Sequence, residues 1–141
     1  MATTGYSGTP LAKKLGIKEG FVIGLINAPH YYYKLFTDFP INVVESVHRK
    51  ELKDIIHFFP KDARELNKLL PQLKKQIVAN GMIWVSWPKK AAKIPTDVTE
   101  DLIRNYALSI GLVDIKVCAV DEVWSGLKLV IPVKDRTEIK K

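Results

Sequence analysis

Short apolar runs alternate along this chain with segments whose apolar residues fall at helical spacing. Residues 21–28, "FVIGLINA", are nearly all apolar, as a strand buried on both faces requires. Residues 30–37 suit a short helix. Residues 41–47, "INVVESV", are rich in β-branched side chains, and 53–59, "KDIIHFF", read as another strand, stopped by Pro60. In "DARELNKLLPQLKKQIVANG", Leu66, Leu69, Leu70, Leu73 and Ile77 keep helical spacing, with Pro71 inside the pattern. Proline within a helix loses a hydrogen bond and clashes with the preceding turn, but it is welcome at a first helical position. The pattern therefore predicts a helix, a break near Leu70, and a second helix ending at Asn80–Gly81.

"MIWVSW" follows as a central strand. Thr96 and Asp97, with Glu100, predict a capping-box helix start. That helix carries Val98, Leu102, Tyr106 and Ile110 on one face and ends at Gly111. "VDIKVCAV" sets Val113, Ile115 and Val117 against Asp114 and Lys116, which suits a strand near a sheet edge. "GLKLVIPV" should pair with it antiparallel. Strands alternating with helices, then a closing hairpin, predict an α/β sandwich with a mostly parallel sheet. Residues 1–134 form the expected domain, with 1–20 an arm packed on it through Tyr6, Leu11 and Leu15 near the carboxyl edge, and 135–141 a charged tail. One step has two solutions. Only His48 to Leu52 separate the second and third strands, whereas a parallel crossover takes a dozen residues or more. Either the second strand is very short, or it is not parallel.

Composition narrows the class. At 141 residues and 47% hydrophobic content, the chain can bury a proper core. No apolar run approaches the roughly 20 residues of a membrane span, and the first residues carry no secretory pattern. Cys118 is the one cysteine, so no internal disulfide forms. These features predict a cytoplasmic protein with no membrane association. The net charge of +7 would attract polyanions, but the lysines are scattered in short pairs. A solvated surface is favoured over a nucleic-acid face.

The element order resembles the Rossmann-like sheet of S-adenosylmethionine-dependent methyltransferases, with "NGMIWVSWPKK", "TEDLIRNYALSIGLVDIKV" and "VWSGLKLVIPV" running like its second half. "GYSGTPLAKKLGI", "WPKKA" and "TEDLIRNYALSIGLVDIKVCAVDEVWSGLKLV" more specifically resemble a bacterial family called domain of unknown function 3052, which implies no activity. The resemblance implies a Rossmann-like three-layer sandwich. The methyltransferase cofactor loop resembles Gly-x-Gly-x-Gly after the first strand. Here that place holds Asn27-Ala28-Pro29-His30, with no glycine and one residue lacking an amide donor. Glu45 is a weak match to the acidic residue expected at the end of the second strand. Gly24, inside the first strand, is expected to permit close helix packing. The fold is thus expected to be retained with the cofactor site absent or rebuilt, and no cofactor is assigned.

His30, His48 and His57 lie on different elements and give no metal-ligand spacing. His57, inside a strand, reads as packed or hydrogen-bonded, and Cys118 as a small buried hydrophobe. At most one or two of Tyr31, Tyr32 and Tyr33 can share a site. Trp124 sits by a turn where a large aromatic needs something to pack on. Ligands of parallel α/β sheets bind at the carboxyl ends of the strands. That places Asn27, His30, Trp87, Lys89, Lys90, Asp121, Glu122 and Trp124 on one edge as candidate ligand-binding residues. They include no nucleophile–base pair. The combined reading is a non-enzymatic module binding a small polar or anionic ligand, or a protein partner, at this edge. The alternatives are an enzyme with a rebuilt methyltransferase-like site and a weak nucleic-acid binder.

Overall fold

The computed structural model describes residues 9–136. Its centre is a six-stranded sheet built from β1 (Val22–Ile26), β2 (Val44–Glu45), β3 (Lys53–Phe58), β4 (Ile77–Pro88), β5 (Val113–Ala119) and β6 (Trp124–Val130). The order across the sheet is β2-β1-β3-β4-β6-β5. The first four strands run parallel, and β6 lies antiparallel between β4 and β5. This is the expected Rossmann-like three-layer sandwich. Strands β4 and β5 both oppose β6, so they point the same way and end on the same side.

Alternation along the strands divides the core into two halves. Ile56, Phe58, Ile83, Val85, Leu127 and Leu129 pack beneath α2 (Ala63–Lys74) and α3 (Glu100–Ser109). On the other face, Ile23, Ile55, Met82, Trp84 and Val130 meet α1 (Leu11–Leu15) and a 3-10 turn over Tyr32–Leu35. Leu11 and Leu15 are buried there, and Trp84 Nε1 donates to Leu15 O at 2.9 Å. The arm thus lies on the sheet face at Trp84. Lys14 reaches the end of β5, its Nζ donating to Ala119 O at 2.9 Å. Residues 1–8, Tyr6 among them, and the tail residues 137–141 fall outside the described residues.

The short crossover resolves as the first of its two solutions. Strand β2 is parallel but only two residues long, pairing Val22↔Val44 and Ile23↔Glu45. The chain turns back at once. Buried Lys53 holds the turn, its Nζ donating to His48 O and, at 3.1 Å, to Gln76 Oε1. Gly24 faces the Ile56 and Lys53 side chains rather than a helix, and a Cβ there would meet their atoms at the ordinary contact distances of 3.4–3.6 Å.

Pro71 does not break its helix. Helix α2 runs through it to Lys74. Proline denies an amide to the carbonyl four residues back, and Tyr106 of α3 supplies the missing donor, its hydroxyl bonding Asn67 O at 2.8 Å. The expected second helix to Asn80–Gly81 is instead the start of β4. The β3–β4 register shifts between Lys53↔Ile77 and Ile55↔Met82. Gly81 lies in this irregular stretch, where a Cβ would come within 3.0 Å of Val78 O. Its role is therefore a bulge and not a helix cap.

The capping-box residues are caps of other things. Thr99 caps α3, accepting from Leu102 N. Asp97 accepts from Ala63 N at the start of α2, and Thr96 Oγ1 accepts from Val98 N. On β5, a register shift between Asp114 and Lys116 breaks the expected alternation. Val113 and Cys118 pack on the α1 side, while Ile115 and Val117 are exposed.

Candidate functional site at the carboxyl edge

The site begins where β1 and β3 end. After Ile26 the chain turns through Asn27 at φ 60°, a left-handed conformation that asparagine tolerates. Its Nδ2 donates to Phe59 O at 3.2 Å and to Glu65 Oε1 at 2.8 Å. Glu65 Oε1 also accepts from Lys61 N. The turn after β1 is thereby fastened to the turn after β3.

Beyond Pro29 the 3-10 turn drives Tyr32 into the core at 2% exposure. Its hydroxyl lies 2.9 Å from His57 Nδ1, and His57 Nε2 lies 2.7 Å from Ser86 Oγ. Burial pushes His57 down to about 3, so it is neutral in the folded protein. Phe36 and Phe39 pack edge-on around Tyr32 and Tyr33. Tyr33 donates its hydroxyl to Glu45 Oε1 at 2.6 Å. Burial first, then Glu45, raises the Tyr33 phenol well above its ordinary range.

Two open spaces follow along the edge, and the turn after β1 reaches the first of them through Asn27 and Ala28. A cleft of about 400 Å³ is lined by Asn27, Phe59, Pro60, Ile94 and Trp124 among others. Trp124 Nε1 donates to Tyr31 Oη at 3.1 Å, and its ring stands edge-on to Phe59 at 5.1 Å. A neighbouring cavity of about 610 Å³ is lined by Trp87, Lys89 and Lys90 on one side and Thr99, Glu100 and Asp101 on the other. Pro88, Ile94 and Thr96 line both. The loop carrying Ile94 and Thr96 is therefore a common wall. Arg104 is bonded to Glu100, Asp101 and Asp114, which leaves the two lysines as the cationic side chains lining the larger cavity.

Of the eight candidates, the structure gathers Asn27 and Trp124 around the smaller cleft and Trp87, Lys89 and Lys90 around the larger. Pro88 and Trp124 are register partners, so both tryptophans sit at the same end of the sheet. His30 is exposed against Tyr31 and lines neither space. Asp121 belongs to the turn, its Oδ1 accepting from Val123 N and Trp124 N, and Glu122 is exposed beside it. Sequence reasoning missed the common wall, Ile94 to Thr96, although "KIPTD" between a strand and a helix marks an ordered loop. No group of three metal-ligating side chains exists among the described residues, and none of their helices is long and apolar enough to cross a membrane.

Solved structures similar to this chain include methyltransferases. A candidate type 11 methyltransferase from Sulfolobus solfataricus matches with a TM-score of 0.63 at 15% identity, covering 89% of this chain and 91% of that one. A SAM-dependent methyltransferase from Aquifex aeolicus matches at 0.57 and 14% identity, covering 85% and 87%. The magnesium protoporphyrin IX methyltransferase of Synechocystis, solved with SAM bound, matches at 0.53 and 9% identity, covering 86% and 74%. This chain has the S-adenosylmethionine-dependent methyltransferase fold. No family model and no curated protein matches it in sequence.

The residues after β1 do not fit a cofactor held by backbone in that fold's usual place. Pro29 has no amide to offer, and Asn27 is committed to Phe59 and Glu65. Tyr33 bonds one oxygen of the Glu45 carboxylate.

Proposed function

We propose that this chain is a methyltransferase-fold binding module that takes up a small polar or anionic molecule in the carboxyl-edge clefts and does not hold S-adenosylmethionine beside β1 and β2. One observation carries this reading. Tyr32, after β1, is buried and bonded to His57, while clefts lined by Asn27 and Ala28, by Phe59 to Lys61 and by Trp87 to Lys90 stay open along the edge. Trp124 and Phe59 offer apolar walls to a planar group, and Lys89 and Lys90 offer charge to an anion.

A second reading is an enzyme with a rebuilt site, favoured by the methyltransferases among the structural neighbours. Titration calorimetry with S-adenosylmethionine separates the two. The module gives only heats of dilution at millimolar ligand, while a micromolar Kd supports the enzyme. Tryptophan fluorescence with benzoate, nicotinate and adenosine monophosphate as planar anionic probes tests the clefts. Saturable quenching by at least one, weakened in Lys90→Gln, is expected. No quenching by any of them contradicts the module.

A further inference from the structure

A second concentration of charge lies on the α1 face of the sheet, away from the clefts. In-register residues on neighbouring strands share a face. Trp84, Lys128 and Lys116 are in register across β4, β6 and β5, and Trp84 lies under α1. Lys128 and Lys116 therefore stand side by side on that face. Like charges directly opposed across an antiparallel pair are destabilising. Helix α1 brings Lys14 to the same strands, through its bond to Ala119 O, and Lys18 follows it in the chain.

The local electrostatics agree. Partial burial lowers the Lys128 ammonium, and Lys116 and Lys18 push it further the same way. Cys118, two residues along β5 from Lys116, is raised by burial while Lys14, Lys116 and Lys89 oppose that rise. Among the described residues, the ion pairs all belong to Arg104, with Glu100, Asp101 and Asp114. Arg104 lies on α3, so none of those carboxylates answers Lys116, Lys128 or Lys18.

We propose that Lys116 and Lys128, flanked by Lys18, form a binding site for a compact phosphate-bearing small molecule on the α1 face. Directly opposed side chains leave their strands about 5 Å apart, and long flexible ammonium stems converge readily on one tetrahedral dianion. A bound phosphate would turn a repulsive pair into a shared attraction. Nucleic acid fits less well, because its strand needs a longer basic track and open aromatic faces for its bases. Trp124, the tryptophan of β6, lines the carboxyl-edge cleft instead.

The test is thermal unfolding at matched ionic strength in sodium chloride and in sodium pyrophosphate. Wild type, Lys116→Gln, Lys128→Gln and Lys18→Gln are compared. A ligand bound only by the folded state raises the melting temperature. Pyrophosphate should raise the wild-type value by several degrees over chloride. Lys116→Gln and Lys128→Gln should abolish the rise, and Lys18→Gln should reduce it. In chloride at low ionic strength, the exposed variant Lys116→Gln should melt no lower than wild type. An absent pyrophosphate effect, or an equal one in all four proteins, overturns the site. So does lysine-dependent binding to phosphatidylserine vesicles or single-stranded DNA without any response to pyrophosphate.

Discussion

At the ends of β1 and β2, Asn27 Nδ2, the Tyr32 hydroxyl and Glu45 Oε1 are bonded to the chain itself. Beyond β4, Lys89 and Lys90 line an open cavity. Both places are carboxyl ends of parallel strands in one sheet, where this architecture puts ligands. The difference shows that a shared topology supplies the location of a site, while the side chains that fill it decide whether it is available. In one place, the 3-10 turn buries Tyr32 and holds Tyr33, with Phe36 and Phe39 packed around them. In the other, the loop carrying Ile94 and Thr96 walls the open spaces.

The comparison breaks most visibly at Tyr32. If this ring is the plug of the closed half, Tyr32→Ala should cost about 3–5 kcal/mol in urea unfolding, as for other large buried rings. A loss well under 1 kcal/mol would mean that the closed half is not packed. The same half should also respond to acid. His57 is held neutral by burial, with its folded value at about 3, below its ordinary value in the unfolded chain. Its contribution is therefore complete above about pH 6.5 and is lost as pH falls toward 3, at roughly 1.4 kcal/mol per unit. Unfolding at a series of pH values should show this slope in wild type and a shallower one in His57→Gln.

Smaller effects belong to the open half. Trp84→Ala, in the core, should cost about 3–5 kcal/mol. Trp124→Ala should cost about 1–2 kcal/mol, because Trp124 is half-buried and faces a cleft. Equal losses would make Trp124 a core residue and remove it from the site. Smallest of all, Lys89→Gln and Lys90→Gln should shift stability by no more than about 0.5 kcal/mol while weakening anion binding. A large loss of stability would show that these lysines hold the fold.

Much of the architecture was legible because it rests on local signals. "FVIGLINA" and "MIWVSW" are apolar enough to be buried strands in any arrangement, and the hairpin of β5 and β6 follows from its turn. The errors came where a distant residue decides a local outcome. Pro71 reads as a helix break until Tyr106, on another helix, answers the carbonyl that it leaves open. Asn80–Gly81 reads as a helix end until Val78 and Asp54 crowd Gly81 in the sheet. Lys53 gave no sign that it would hold an abrupt crossover. The candidate edge was legible through topology, since strand ends can be placed without knowing side-chain directions. Its division into a closed and an open half was not, because that depends on where Tyr32, Tyr33 and Ile94 point.

The central proposal is that the Tyr32–Tyr33 turn keeps S-adenosylmethionine from the place beside β1 and β2. Amide and aromatic chemical shifts followed during titration with S-adenosylmethionine address it residue by residue. The account predicts no saturable movement at Tyr32, Tyr33, Val44 or Glu45 up to millimolar ligand. Saturable shifts at those four positions, with a micromolar Kd, would contradict it.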